Sequence, residues 1–191
     1  MVTWFEDLEV TARILRRFPP SLEEEQEWLR KTATDPNHII WAVEREGHLV
    51  GVTGIHFINW PEQHGSTGTL IGDKTAWAKG IAGELMKLRA DFAFTQTTLR
   101  KLKSAYIEGN EASRRAQLAA GYRECGRRRQ ELFREGRWLD QIETELLRED
   151  WQKAVSVSSG RRTRSGASRT ESRARGASRG LDKPLRPSDN S

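Results

Sequence analysis

The residues best suited to chemistry lie between Ile71 and Met86, where a predicted strand passes through a turn into a predicted helix. The start of that helix holds Gly80, Ala82 and Gly83, and side chains this small let a ligand touch the backbone. Backbone N–H groups at a helix start lack internal acceptors, and the helix dipole adds positive potential, so such a turn binds phosphate oxygens. A diphosphate cofactor is the candidate ligand. Gly-x-Ala-Gly also occurs in plain strand-to-helix connections, so both interpretations stand at this point.

The elements that must position this turn can be predicted from periodicity and turn signals. Residues 3–17 have a loosely helical pattern that Pro19 and Pro20 end, and Ser21 with Glu24 forms a capping-box pattern for a helix to about Thr32. The remaining predicted elements are a hairpin over 38–60, a strand over 66–73, helices over 79–94 and 111–120, and strands over 101–108, 121–133 and 137–147. This order predicts a mixed α/β fold.

The predicted helix over 79–94 carries an apolar stripe. Ile81, Leu85, Leu88 and Phe92 recur at the spacing of a helix that packs on a sheet. We expect this stripe to face the core.

The positive charge of the chain is concentrated at its end. The 191 residues carry a net charge of +5, but residues 154–191 hold nine Lys and Arg against three Asp and Glu, or +6, which leaves −1 for residues 1–153. The segment from Ala154 has no aromatic residue and nine serines, so we expect a disordered basic tail behind a domain over 1–153. Nucleic-acid binding is expected at most as weak contacts of this tail.

Cysteine content and hydropathy indicate the cellular compartment of the protein. Cys125 is the only cysteine, so no internal disulfide forms, and we expect it to be a small buried residue. No Cys and His spacing resembles a metal site, so no metal is expected. The start of the chain lacks the pattern of a secretory signal, and no run of about 18 apolar residues suits a membrane span. A cytoplasmic protein without membrane contact is the prediction.

Three motifs in order resemble the GNAT superfamily of acetyl-CoA-dependent N-acetyltransferases. They are the segments Trp77–Ala82, Asn110–Ser113 and Ala120–Tyr122, at the spacing of that family. The ending Leu147–Trp151 is similar to the branch related to the ribosomal-protein-alanine acetyltransferases RimJ and RimL. The resemblance covers about residues 4–151.

The resemblance implies a fold and a cofactor site. The implied fold is a central, mostly antiparallel twisted sheet with helices on both faces and a bulged strand, near Thr69 to Gly72, splayed around acetyl-CoA. Acetyl-CoA is the co-substrate. Backbone N–H groups from Ala78 to Gly83 would hold its pyrophosphate. The implied cofactor-binding residues are Leu70, Ile71, Ala78, Lys79, Gly80, Ile81, Ala82, Gly83, Asn110 and Ser113.

The resemblance also assigns reacting groups. Amide formation needs a neutral amine, an oriented thioester, donors for the oxyanion and a proton for the thiolate. By the resemblance Glu131 would be the base and Ser113 would lie near the sulfur. The plain alternatives are a serine that faces solvent and a surface glutamate. Many relatives have a Tyr where this chain has Gln117, which leaves the proton donor open.

Two further departures concern the backbone. Trp77 stands where the motif has Gln or Arg, and Ala78 stands where this branch commonly has Gly, which suits Ala only if the position avoids positive φ. A strand and a helix that precede the segment aligned with residues 4–15 in the family are missing. We therefore expect an exposed edge strand near residues 38–46, and a chain that binds CoA but self-associates.

These observations favour acetyl transfer to a primary amine, either a protein N-terminus or a small-molecule amine, and they leave a homodimer open. A polyamine or amine-drug acceptor would favour an acidic pocket, for which Glu62, Asp73, Glu108 and Glu131 are the candidates. The alternative is a catalytically impaired GNAT-like module that binds CoA or a protein, and a third is a nucleic-acid-associated protein that acts through its tail. His38 and His56 are interpreted as ordinary surface or core residues.

Overall fold

The computed structural model describes residues 1–16 and 18–157. Met1–Trp151 form one compact unit; residues from 152 onward belong to a second unit, of which 152–157 are described. The helices are α1 Val2–Glu6, α2 Leu8–Thr11, α3 Leu22–Thr34, α4 Ile81–Gln96 and α5 Glu111–Ala119, with a 3-10 helix Lys74–Ala76. The strands are β1 Ile39–Arg45, β2 His48–Asn59, β3 His64–Ile71, β4 Lys101–Ile107, β5 Arg123–Arg134 and β6 Arg137–Leu147.

The strands form one six-stranded sheet in the order β1-β2-β3-β4-β6-β5. Two predicted hairpins are confirmed. Glu46 and Gly47 join β1 to β2 with φ of 53° and 79°, and Glu135 and Gly136 join β5 to β6 with φ of 48° and 76°. Positive φ at both central residues matches the right-handed twist of a hairpin, and glycine supplies it without strain at the second position.

The parallel pair β3 and β4 opens along its length. Pairing joins only residues 64–66 of β3 to residues 101–103 of β4, although both strands continue for several residues. The other pairs are antiparallel. The expected mixed α/β fold, with a mostly antiparallel sheet that splays at one parallel pair, is therefore confirmed, and the opening is where a ligand can enter the sheet.

Helix α4 packs on one face of the sheet, and the predicted stripe holds except at Leu88. Ile81 and Leu85 pack against a buried cluster on the sheet side, and Phe92 packs edge-on against Trp41. The buried residues of α4 are Met86, Arg89, Ala90, Ala93 and Phe94, whereas Leu88, assigned to the core by its spacing, is 64% exposed. The pattern misled at Leu88 because α4 has apolar residues around much of its circumference and because an arginine occupies the buried face. Arg89 is 2% exposed.

Helix α3 and the segment before it cover the other face. The capping box of α3 is formed as predicted, with Ser21 Oγ accepting from Glu24 N at 3.1 Å and Ser21 N donating to Glu24 Oε2 at 2.9 Å. The side chain of Asn110 donates to Arg13 O at 3.2 Å, and Arg134 donates to Ile14 O at 3.1 Å. These bonds lay the segment of residues 13–15, here called the N-terminal strap, across the opening of the sheet.

Two expectations about the periphery need correction. Cys125 is exposed, not buried, because β5 forms an edge of the sheet with a face open to solvent. Residues 148–157 are helical, so the first four residues of the tail predicted from Ala154 continue a helix. The remainder of that predicted tail lies outside the described residues.

Candidate active site

A cavity of about 380 Å³ occupies the opening between β3 and β4. By strand alternation Ile40, Gly54 and His56 face it from the side opposite α4, while Leu70 and Ser104 contribute from the two splayed strands. Helix α3, the N-terminal strap and α5 close the remaining walls. The cavity is thus assembled from side chains that lie far apart in the sequence.

Beside the cavity, the loop before α4 forms a site made of backbone. Gly80 is the N-cap of α4 with φ of 78°, and a Cβ built on it would meet no heavy atom within 4 Å. The first helical bond runs from Glu84 N to Gly80 O at 3.2 Å. In the described chain no acceptor is found for the N–H groups of Ile81, Ala82 and Gly83. Open N–H groups at an unobstructed helix start fit a pyrophosphate.

Ala78 has a positive φ, the backbone conformation that disfavours alanine. Its φ is 58°, in the left-handed region where an L residue is strained by roughly 1 kcal/mol relative to glycine. A hydrogen bond of the preceding residue offsets this strain: the Trp77 indole donates to Ile71 O at 2.8 Å. The Arg13 guanidinium lies over the Trp77 ring, 5.1 Å from its centroid. Trp77 therefore ties the loop to β3 and to the N-terminal strap.

Strand β3 places Thr69 and Leu70, but not Ile71, of the residues expected near the thioester at the cavity. Leu70 lines it, and the carbonyl of Ile71 is taken by the Trp77 indole. Pairing of β3 with β2 is regular over residues 66–71. The bulge falls at the end of the expected range, where Gly72 N and Asp73 N both donate to Val50 O, at 3.0 and 3.2 Å.

Ser113 lines the cavity and is fixed by Gln117, the residue that replaces the family Tyr. Gln117 is 1% exposed; its Nε2 donates to Ser113 Oγ and to Ala105 O, each at 3.1 Å, and its Oε1 accepts from Thr144. Because Ser113 Oγ accepts from the amide, its own proton is left to donate elsewhere. Asn110, predicted as a cofactor contact, caps α5 by accepting from Ser113 N at 3.1 Å.

The structure does not bring Glu131 to this cavity. It lies on edge strand β5, its side chain is 43% exposed, and its carboxylate is 3.5 Å from Arg128 Nη1. The acidic wall expected from Glu62, Asp73, Glu108 and Glu131 is not formed, since none of the four lines the cavity. The sequence could not show this, because Glu131 is separated from β4 by the whole width of β6.

The carboxylate that does line the cavity, within the described part of the chain, is Glu25 on α3. The residue is 6% exposed, and the described residues offer its side chain neither a hydrogen bond nor an ion pair. Its carboxylate oxygens are not among the enclosed atoms without a partner, so they open onto the cavity, where they can meet a cationic ligand. Three consecutive glutamates gave no sequence signal that Glu25, rather than a neighbour, points inward.

Arg89 brings a buried positive charge to the same cavity. Its Nη1 donates to Thr53 Oγ1 and Gly68 O at 2.7 Å and to Thr69 Oγ1 at 2.9 Å, while its Nε has no acceptor among the described residues. All three acceptors are neutral, so within the described chain no carboxylate balances the guanidinium.

Two histidines connect the cavity to the surface. His56 lines the cavity, and its Nδ1 lies 3.3 Å from His38 Nδ1; His38 Nε2 lies 3.6 Å from Asp35 Oδ2. Burial lowers the pKa of His56 to about 4, and the charges of His38 and Arg89 act in the same direction. His56 is therefore neutral at pH 7.

Tyr106 also lines the cavity, but its hydroxyl is occupied. It donates to Glu124 Oε1 at 2.5 Å, and burial, with that carboxylate, raises the pKa of Tyr106 to about 12. A phenol this weakly acidic, already donating to a carboxylate, is a poor proton donor for a thiolate. Ser113 is the better placed donor.

The chain belongs to the acetyltransferase (GNAT) domain family, which it matches over residues 1–123. It is an acetyl-CoA-dependent N-acetyltransferase, and the open helix start at Gly80 suits the diphosphate of that co-substrate. It is 27% identical over 126 residues to the putative ribosomal N-acetyltransferase YdaF of Bacillus subtilis (strain 168), covering 66% of this chain and 68% of the relative.

Solved structures share the fold. The spermidine N-acetyltransferase of Vibrio cholerae in complex with CoA and spermine matches with a TM-score of 0.73 and 20% identity, over 79% of this chain and 89% of that one. A chimera of that enzyme, SpeG, with hSSAT matches with a TM-score of 0.71 and 22% identity, over 79% and 89%.

The described residues include no group of three or more His, Cys, Asp or Glu arranged for a metal ion. Within residues 1–16 and 18–157 no helix is long and apolar enough to span a membrane.

Proposed function

We propose that the protein acetylates the α-amino group of a peptide or protein N-terminus. The observation that carries this proposal is the charge of the cavity wall, whose charged residues are Arg13, Arg16, Arg89 and Glu25. A peptide N-terminus offers one ammonium group followed by carbonyl oxygens. The ammonium complements Glu25, and the carbonyl oxygens complement the arginines at the mouth.

The same wall argues against a polyamine as the acceptor. A second and third ammonium group on one extended molecule would face guanidinium groups, and like charges in a partly desolvated site repel by several kcal/mol. The relative named as a ribosomal N-acetyltransferase also supports a protein acceptor and the RimJ and RimL branch, although the structural neighbours are named for spermidine. A small monoamine is the second acceptor that this wall accommodates.

The amine chemistry points the same way. An α-amino group has a pKa of about 8, against about 10.4 for an unperturbed aliphatic amine of the lysine type. At pH 7 the free energy needed to deprotonate the α-ammonium group corresponds to about one pKa unit, or about 1.4 kcal/mol. We assign the leaving thiolate to Ser113 and the acceptor ammonium to Glu25.

The test is CoA release measured with a panel of acceptors at saturating acetyl-CoA. Peptides with free N-terminal Ala or Ser are expected to give the highest kcat/KM, a neutral-tailed monoamine less, and spermidine and spermine the least. The same peptides with a blocked N-terminus are the control, and mass spectrometry locates the acetyl group. Preference for spermidine would overturn the acceptor assignment. Tight acetyl-CoA binding by calorimetry without turnover of any amine would favour the catalytically impaired module instead.

A further inference from the structure

We propose that Asp35, His38 and His56 form a proton relay that carries the acceptor's proton from the cavity to the surface. The proposal rests on the amine acceptor proposed above. His56 is the group that accepts the proton, and His38 and Asp35 position it and pass the charge on. The three residues are called the histidine relay below.

The geometry of the histidine relay fixes which nitrogen does what. The His56 and His38 rings meet through Nδ1 and Nδ1 at 3.3 Å, so one of these nitrogens must donate and the other must accept. Asp35 Oδ2, 3.6 Å from His38 Nε2, favours a proton on that nitrogen. A neutral His38 with its proton on Nε2 can only accept at Nδ1. His56 then carries its proton on Nδ1 and keeps a lone pair on Nε2.

The Nε2 end of the His56 ring lies at the wall of the cavity. The His56 ring lies over two glycines of adjacent strands: a Cβ on Gly54 would lie 2.8 Å from His56 Nε2, and one on Gly68 would lie 3.9 Å from it. Gly54 and Gly68 both line the cavity. The absence of a side chain at Gly54 makes the space that the imidazole occupies, while Gly68 lies at ordinary van der Waals distance from it.

The backbone beside His56 is strained. Phe57 has φ of 50°, and the pairing of β2 with β3 shifts between His56 and Asn59. A bulge next to a site re-aims the preceding side chain, and a non-glycine residue at positive φ costs about 1 kcal/mol or more. The Phe57 ring packs edge-on against His38, with centroids 5.2 Å apart, and so holds the second imidazole in place.

The proton balance of the reaction closes through the histidine relay. The acceptor ammonium gives a proton to His56 Nε2, His56 Nδ1–H passes its proton to His38 Nδ1, and the cation comes to rest on His38 beside Asp35 before it reaches solvent. The neutral nitrogen then forms the C–N bond to the acetyl carbon, and the C–S bond breaks with its electron pair on sulfur. The second N–H proton passes to Ser113 Oγ, which has given its own proton to the thiolate. The products are therefore the amide, the thiol and one proton released to solvent.

The low pKa of His56 suits a relay better than a resting base. The charged and titratable groups that face it are His38 before β1, Arg89 on α4 and Glu25 on α3. A cation left on His56 would stand near the Arg89 guanidinium in a partly desolvated site. Transfer to His38 moves it away from Arg89 to a ring beside the half-exposed Asp35, which stabilises it.

The test combines pH profiles of turnover with a direct view of the tautomers. The variants are His56→Gln, His38→Gln and Asp35→Asn, with His48→Gln as the matched control, since His48 is exposed at the β1–β2 turn. We expect kcat to fall about 10²-fold or more in His56→Gln, as for loss of a general base. We expect smaller losses in the other two variants that shrink as pH rises, with unchanged calorimetric affinity for acetyl-CoA. His48→Gln should match the wild type.

The second readout needs no turnover. Nitrogen-15 NMR of the imidazoles in the protein without acetyl-CoA should show the Nδ1–H tautomer at His56 and the Nε2–H tautomer at His38. The opposite tautomers, or wild-type pH profiles in folded His56→Gln and His38→Gln, would overturn the histidine relay. If the wild type acetylates no amine, the acceptor proposal fails, and the NMR result still decides the relay. If His56→Gln unfolds, Asp35→Asn at the half-exposed end carries the kinetic test.

Discussion

The helix start at Gly80 and the cavity between β3 and β4 lie side by side but are built from different materials. At the helix start, backbone N–H groups of consecutive residues face open space, and side chains matter only by being absent. The cavity wall instead draws side chains from α3, α4, α5 and four strands, and several are more than nine-tenths buried. Adding a side chain therefore damages the backbone site, whereas removing a side chain damages the cavity.

Gly80→Glu is the substitution expected to weaken cofactor binding at the helix start most strongly. A charged side chain at the N-cap places a carboxylate where phosphate oxygens are expected, and the φ of 78° adds strain. We expect acetyl-CoA binding to be lost in calorimetry. Gly80→Asn is the control, because Asn tolerates this conformation and is neutral. Unchanged affinity in a folded Gly80→Glu protein would remove the pyrophosphate from this helix start.

The side-chain site is broken most sharply at Ser113. Ser113→Ala removes the hydroxyl whose proton Gln117 leaves free, and we expect kcat to fall up to about 10²-fold with acetyl-CoA affinity retained. The comparison variant is Glu131→Gln, which the edge position of β5 predicts to keep near wild-type turnover. A large loss in Glu131→Gln together with a silent Ser113→Ala would reverse the two assignments.

Glu25→Gln tests the cavity at its acidic wall. Loss of one charge-assisted contact to an ammonium group is expected to lower kcat/KM for the acceptor by about 10- to 100-fold, from roughly 1.5 to 3 kcal/mol. Acetyl-CoA affinity should not change. Glu23→Gln, on an exposed turn of the same helix, is the matched control. An equal effect of both variants would show that the charge of α3 acts at long range and not by contact.

The depressed pKa of His56 predicts a pH effect on stability. Between pH 6.5 and about 4, His56 is protonated in the unfolded chain but stays neutral in the folded protein. The folded state therefore loses stability as the pH falls through this range. After allowance for partial exposure the loss amounts to about 1 to 2 kcal/mol. The melting temperature of the wild type should therefore fall more between pH 6.5 and 4 than that of His56→Gln. Parallel curves would contradict a depressed pKa.

The smallest effect is expected at Ala78. Ala78→Gly relieves the positive φ of 58° and should leave the affinity for acetyl-CoA unchanged. The gain in stability is at most about 1 kcal/mol, because glycine also loses more entropy on folding. Thermal unfolding of this variant beside Ala76→Gly, at a buried position, provides the contrast. A lower melting temperature for Ala78→Gly would mean that the loop depends on the alanine methyl group.

The contrast between the two sites also explains what the sequence could predict. The helix start was visible because its residues are consecutive, and both hairpins were visible because Glu-Gly pairs separate apolar runs. Glu25, His56 and Arg89 were missed because side-chain direction depends on tertiary packing that no local pattern records. Arg89 had a second effect, since a buried arginine interrupts the buried face of α4 and hides it from an apolar pattern. Ser113 was found through motif resemblance and not through periodicity.

The N-terminal strap is anchored in a way that bears on how the acceptor preference of such an enzyme can change. Asn110 and Arg134 bind the carbonyl oxygens of Arg13, Ile14 and Leu15, so the anchors are indifferent to the side chains that the strap carries. Those same side chains line the mouth of the cavity. Substitutions at Ile14 and Leu15 can therefore accumulate without loosening the backbone, and specificity can drift over evolutionary time while the catalytic frame stays constant.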